Sequence, residues 1–185
     1  MNISETGLPG VLLIEARAFS DNRGYFFESY SKAKYQDAGI TCDFVQDNVS
    51  YSHANVLRGL HFQYPTEQAK LVQVLSGEIL DVAVDVRIGS PTFGKWIAEV
   101  LSAENHRQLF IPTGFAHGFS VLGDHAVLNY KCSALYDPKS EGTVLWNDPA
   151  IGIDWRISNP ITSSKDDAGV LLADMPLDRM PKFQG

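Results

Sequence analysis

Leu80-Asp81-Val82-Ala83-Val84-Asp85-Val86-Arg87 alternates apolar with polar or small residues. Successive strand side chains point to opposite faces, so Leu80, Val82, Val84 and Val86 share one face and the aspartates the other. A period of two predicts a β-strand with one apolar face. Similar runs lie outward from it, at residues 11–16, 69–75, 96–101 and 115–122, separated by turn signals. Ser76-Gly77-Glu78 reads as a tight hairpin turn between a strand over 69–75 and one over 79–86. Helical signal is sparse. The best candidate is 31–38, with Ser31 as N-cap and Gly39 as terminator. Residues 102–105 read as one helical turn. From Asp148 onward Pro149, Pro160, Pro176 and Pro181 predict irregular chain, with a short helix over 165–169. Many short strands and few helices predict an all-β sandwich or barrel.

The chain has 185 residues, 44% hydrophobic and 20% charged, which suits one domain over 1–185 with a sizeable core. No apolar run is long enough to span a bilayer and no signal peptide opens the chain, so neither a membrane association nor export is expected and the cytoplasm is. Cys42 and Cys132 are expected to stay reduced there. The net charge of −7 and the lack of a basic tract argue against nucleic acid as a partner, and none is expected. An acidic protein still binds an anion if its cations converge on one pocket, and Arg23, Arg58, Lys70 and Lys165 are candidates. No Gly-x-Gly-x-x-Gly loop is present, so no nicotinamide cofactor is expected.

The polar outlier is Gln46-Asp47-Asn48-Val49-Ser50 with Val56-Leu57-Arg58-Gly59-Leu60-His61-Phe62-Gln63. These residues read as two strands, yet they gather a His, an Arg, two Gln, an Asn and an Asp. In a regular strand Leu57, Gly59, His61 and Gln63 share one face, and Arg58, Leu60 and Phe62 the other. Buried polar groups are costly without partners, so this concentration points to a lined cavity.

These two runs resemble the signature of the dTDP-4-dehydrorhamnose 3,5-epimerase family. So do Phe19-x-Asp21-x-Arg23-Gly24 with Phe26 and Glu28, Lys70-Leu71-Val72, Ser90-Pro91-Thr92-Phe93-Gly94, Tyr130-Lys131-Cys132 and Trp146-Asn147-Asp148-Pro149. Pro112-x-Gly114-x-x-His117 and Gly59-x-His61-x-Gln63 further resemble the two halves of the cupin signature, with Gln63 where a second His usually sits. The ordered set covers nearly the whole chain. It implies a cupin-type jelly-roll barrel with a few short helices, and a site inside the barrel. After Ile153-Asp154-Trp155 the family commonly has Pro; here it is Arg156.

The resemblance implies inversion at C3 and C5 of dTDP-4-dehydro-6-deoxy-D-glucose. A 4-keto group acidifies both protons, and a base that titrates near neutrality can remove them. An isolated His is usually a satisfied core residue; the resemblance makes His61 the base. It makes Asp166 the carboxylate that orients His61, with Asp167 a rival. Tyr130 becomes the proton donor on the opposite face, where a barrel aromatic would otherwise be the plain reading. Lys70 and His117 would stabilise the enolate. Arg23, Arg58, Glu28, Gln46, Asn48, Glu141 and Lys165 match substrate-binding positions. Phe26 and Tyr136 are candidates to stack on thymine, with core packing the plainer reading for Phe26. Asp47 would face the other way.

The implied enzyme is a homodimer needing no cofactor and no metal. The strand over 11–16 is a candidate to pair across subunits, with Arg23, Phe26 and Glu28 completing a neighbour's pocket. Two alternatives stay open. One is a mono-epimerase of a related dTDP-4-keto-6-deoxysugar. The other is a cupin binding iron or manganese through His61, Glu67 and His117, hence an oxygenase or metal isomerase. Gln63 and the nearby cations count against the metal.

Overall fold

The computed structural model describes residues 1–184. In chain order the strands are β1 (Asn2–Glu5), β2 (Leu12–Glu15), β3 (Ala18–Asp21), β4 (Gly24–Phe27), β5 (Gln46–His53), β6 (Leu57–Gln63), β7 (Lys70–Asp85), β8 (Trp96–Ser102), β9 (Arg107–Ile111), β10 (Phe115–Cys132) and β11 (Glu141–Thr143). Two short helices, α1 (Lys32–Asp37) and α2 (Ser164–Asp167), complete the regular elements with two 3-10 turns. The chain is mainly β, as the alternating runs predict.

β7 and β10 organise everything else. They pair antiparallel along nearly their whole length, from Lys70 opposite Cys132 to Asp85 opposite Phe115. The first part of β7 carries β9 on its other edge, and the last part carries β8. On β10 the C-terminal part carries β5, while the N-terminal part carries β6, which in turn carries β11. One layer is therefore β1-β2-β9-β7-β10-β5 and the other β8-β7-β10-β6-β11. The two long strands run through both, in jelly-roll fashion. Val72, Ile79, Leu101, Leu109, Phe119 and Leu128 are among the residues that fill the space between them.

This arrangement corrects the hairpin expected at Ser76-Gly77-Glu78. The two runs form one 16-residue strand. Gly77 is needed for close approach rather than for a turn. Its φ is +80°, and a Cβ there would lie 1.9 Å from the His125 carbonyl oxygen. β10 shifts register opposite this point, which absorbs the bend. The run at 115–122 likewise continues to Cys132. The expected helical turn at 102–105 is a tight turn instead. Asn105 Oδ1 accepts the amides of Ser102 and Arg107, an alternative to helical bonding that Asn often supplies.

The alternation at 80–87 holds, but its second face is not solvated. Asp81, Ala83 and Asp85 are all fully buried. Leu80, Val82 and Val84 face outward, where Trp155, Leu172, Met175 and Met180 from the irregular C-terminal segment cover them. That segment is anchored by buried Asp148, which accepts the amides of Ala150 and Leu172, both at 2.8 Å. Arg156 within it has φ +55°, a value that proline cannot adopt.

α1 starts after Ser31 and ends before Gly39 as predicted, although the Ser31 hydroxyl makes no cap bond. Its Tyr35 packs on Ile14, Leu71 and Phe110. Burial pushes the Tyr35 phenol up to about 12, while its hydroxyl is held by Gln108. Both cysteines are free thiols. β2 has β1 on one edge and β9 on the other. Neither edge is left for a second subunit, which corrects that part of the reading. The β3–β4 hairpin stands apart as a separate two-stranded sheet, with Phe19, Tyr25 and Phe26 exposed.

Gly77→Ala is expected to destabilise the protein by about 2–3 kcal/mol, because backbone and not a flexible side chain blocks the added carbon. Gly123→Ala, with nothing within 4 Å, should change little. Urea unfolding of both variants checks this; equal midpoints would show that the β7–β10 contact tolerates a side chain.

Candidate active site

Two glycines set the site's geometry. A Cβ on Gly59 would lie 2.5 Å from Gly118 Cα, so β6 and β10 meet backbone to backbone. His61 then sits opposite His117, and Arg58 opposite Phe119. Three steps along β6 match two along β10, so β6 carries an extra residue there. Regular alternation puts Arg58 and His61 on opposite faces. The bulge overturns that expectation, and both side chains reach one cavity of about 480 Å³.

His61 and Asp166 meet in that cavity, with Nε2 2.7 Å from Oδ1. The contact is bent rather than a straight hydrogen bond. Asp166 is buried and heavily bonded. Oδ1 accepts the Gly59 amide at 3.2 Å, and Oδ2 accepts the Ser163 amide at 3.1 Å and hydroxyl at 2.6 Å. Burial alone would raise its pKa. The donors from His61 and Ser163 outweigh that and hold the carboxyl far below the usual range. Asp167, the rival, bonds Thr162 and Trp146 instead. With Nε2 against the carboxylate, His61 Nδ1 is the nitrogen open to the cavity.

Lys70 begins the inward face of β7. It is buried, and no carboxylate lies within ion-pair distance among the described residues. Burial pushes its pKa down, partly offset by Cys132, Asp81 and Glu141. A buried ammonium without a counter-ion favours an anionic or electron-rich guest. Tyr130 lies on the inward face of β10, next to Asn48 across the ladder. Burial raises its pKa, Cys132 adds to that, and Arg58 pulls it down. His117 completes this end; its Nε2 is 2.7 Å from Asp81 Oδ1.

The other end is a hydrogen-bonded frame. Gln46 donates to Asn48 at 2.9 Å and accepts the Tyr136 amide at 3.1 Å. Glu141 holds Lys165 with one oxygen and accepts the Tyr136 hydroxyl with the other. Arg58 donates to Ser52 and to the Tyr51 carbonyl and remains exposed at the mouth. Asp47 faces outward and pairs with Lys131, as its strand position predicts.

Three predicted residues do not join the cavity. Arg23 pairs with Asp21 on the β3–β4 hairpin, Phe26 is 71% exposed, and Glu28 pairs with Lys34. Phe26 is therefore not a core residue. Glu67 also lies outside the lining, and its charged neighbour is Arg87. Gln63 faces the cavity but its amide ties Thr66 to Asp137. No group of three or more His, Cys, Asp or Glu side chains among the described residues is placed to hold a metal ion. The expected trio of His61, Glu67 and His117 is not assembled. Ser50, Gln68, Phe119 and Ser163 also line the cavity. Ser50 lies in the polar run, Phe119 in the strand predicted over 115–122, and Gln68 flanks the strand that holds Lys70, whereas Ser163 gave no sequence signal.

A family model described as dTDP-4-dehydrorhamnose 3,5-epimerase matches residues 5–174. A relative of that name from Salmonella typhimurium is 53% identical over 175 residues, 93% of this chain and 96% of the relative. The crystal structure of a dTDP-6-deoxy-D-glucose-3,5-epimerase from Legionella pneumophila, in complex with dTDP-4-keto-L-rhamnose, is similar at a TM-score of 0.97. It is 47% identical and covers 100% of this chain and 99% of its own. A 3'-monoepimerase from Streptomyces bikiniensis, in complex with dTDP-quinovose, is similar at a TM-score of 0.91 and 36% identity, covering 97% and 92%.

Because folding depresses the Asp166 pKa, its stabilising contribution is present above the unfolded value of about pH 4. It is lost as pH falls toward the folded value. Asp166→Asn is expected to be less stable than the native chain by about 2 kcal/mol near neutrality, with the gap narrowing below about pH 4. Urea unfolding across that range checks it; a gap independent of pH would show that the carboxylate charge is not what Ser163 and His61 hold.

Proposed function

This chain belongs to the dTDP-4-dehydrorhamnose 3,5-epimerase family, and we propose that its cavity inverts C3 and C5 of dTDP-4-dehydro-6-deoxy-D-glucose to give dTDP-4-dehydro-L-rhamnose. The observation that carries the reading is the meeting of the Asp166-backed His61 with an unpaired, buried Lys70 and with Tyr130 in one cavity. His61 Nδ1 takes the proton from the carbon beside the keto group. Electron density moves into the C4 oxygen, and Lys70 and His117 meet that developing charge. The buried setting makes this stabilisation stronger than it would be in water. Tyr130 returns a proton to the opposite face. Deprotonation and reprotonation leave oxidation state unchanged, so the chemistry requires no redox cofactor.

The frame at the mouth suits the nucleotide. Arg58 offers a planar fork to a diphosphate. Tyr136, exposed and held by Glu141 and Gln46, presents a ring on which thymine can stack. Asn48 and Lys165 line the same side. In a homodimer the protruding β3–β4 hairpin would carry Arg23, Phe26 and Glu28 into a neighbour's cavity mouth. Its exposed Phe19, Tyr25 and Phe26 support such a contact. The enzyme would act in the cytoplasm; no helix among the described residues is long and apolar enough to cross a membrane.

In heavy water, NMR of the substrate is expected to show deuterium entering at both C3 and C5. Exchange at one carbon only would make this a mono-epimerase. His61→Asn should reduce exchange and inversion by about 10²–10⁴-fold while dTDP binding persists. Tyr130→Phe should keep some exchange but lose net inversion; if it inverts both centres at the native rate, another group is the donor. Lys70→Met should slow proton removal itself.

Light scattering is expected to give twice the chain mass. Arg23→Ala should weaken dTDP binding without dissociating the dimer. A fully active monomer would overturn the shared-pocket arrangement.

A further inference from the structure

β7 carries two fully buried aspartates of opposite character. Asp85 is saturated: Arg87 pairs with it at 2.6 Å, and the Ser90 and Thr92 hydroxyls each donate to it at 2.6 Å. That carboxylate fixes the turn after β7, and its bonds account for its burial. Asp81 has one partner. Oδ1 meets His117 Nε2 at 2.7 Å, while Oδ2 is buried with no partner among the described residues. An incompletely bonded buried carboxylate costs stability that a small apolar residue at this position would not. Among the described residues the one hydrogen bond of Asp81 is to His117, and its charge also reaches Lys70.

We propose that Asp81 is a positioning residue for the reaction, locking the His117 ring so that Nδ1 faces the sugar's keto end. The proposal rests on the epimerase reading and deepens it. An ionised carboxylate only accepts, so Nε2 must be the donor. His117 Nδ1 has no protein partner among the described residues and opens into the cavity. His117 lies directly opposite His61 across the β6–β10 ladder. The site therefore contains two His–Asp pairs side by side, each with Nε2 against a carboxylate oxygen at 2.7 Å, the His117 contact being the well-formed hydrogen bond. They differ in their carboxylates. Asp166 bonds Gly59 and Ser163 as well as facing His61, whereas the one hydrogen-bond partner of Asp81 among the described residues is His117. The first pair suits a base whose charge changes during turnover. The second suits a ring held still beside Lys70, at the place where negative charge develops.

A double-mutant cycle tests this. Asp81→Asn keeps the shape but lets the ring turn, and is expected to lower kcat by about 100-fold with KM and dTDP binding nearly unchanged. His117→Asn should show its own loss, and the double variant should be no slower than His117→Asn alone. Additive losses, or native turnover in Asp81→Asn, would overturn the proposal. Nitrogen-15 NMR of the native enzyme supplies an arm that needs neither a folded variant nor substrate. It should show His117 protonated at Nε2, in slow exchange with solvent; an unprotonated Nε2 overturns the assignment. A native enzyme that epimerises nothing would refute the epimerase reading and leave the NMR result standing.

Discussion

The antiparallel ladder between β7 and β10 is the constraint on which the rest of the molecule depends. Both strands are long enough to belong to two layers, so their pairing decides where every other strand attaches. The bend between the layers needs a place where backbones touch, and Gly77 against His125 supplies it. The same ladder sets up the chemistry. Lys70 and Cys132 are paired at one end, Tyr130 lies opposite Val72, and His117 lies opposite Ala83. Inward residues recur every second position within each half of the ladder, and the register shift at Gly77 inverts the count between the halves, so all of these point into one interior. Lys70 and Tyr130 are 60 positions apart in the sequence, with His117 between them, yet two strands align all three.

Charge is sorted within that interior. The protein is acidic overall, but Asp166 and Asp81 stand behind histidines and neither forms an ion pair with Lys70. Asp166 and Asp81 each contact an imidazole, and Lys70 keeps an unpaired ammonium. Were either carboxylate to pair with Lys70 directly, the positive charge would be spent before substrate arrived. Placing imidazoles between acids and cavity preserves the positive field around Lys70, which the proposed reaction needs at the keto oxygen, and also orients two rings.

Much of this was legible in the chain. The alternation around Leu80 identified a strand, and the polar outlier at 46–63 identified the cavity. What escaped had definite physical causes. Ser76-Gly77-Glu78 resembled a hairpin because a glycine in a turn and a glycine at a close approach look alike in sequence. Arg58 and His61 were placed on opposite faces because a bulge adds one residue and inverts the count. Asp81 and Asp85 read only as the polar alternates of the valines. Only burial and bonding distinguish a barrel-facing aspartate from a surface one, and only their partners distinguish these two from each other. The exposed hairpin with Arg23, Phe26 and Glu28 shows the opposite limit. Its motif was readable, but one chain alone leaves those residues away from the cavity.

The placement of Asp166 shows how local folding and chemistry are joined. α2 has only four residues, too few to persist by itself. It is held by a reciprocal cap in which Ser163 and Asp166 bond each other's backbone amides, the side chain of each serving as acceptor. The carboxylate that closes this cap also accepts the Gly59 amide and faces His61. One side chain thus fastens the C-terminal segment to β6 at the point where β6 bulges. A carboxylate used only to orient His61 could drift with its loop. One that also caps its helix and bonds β6 moves only if the fold around it moves, so the proposed base inherits the rigidity of the barrel.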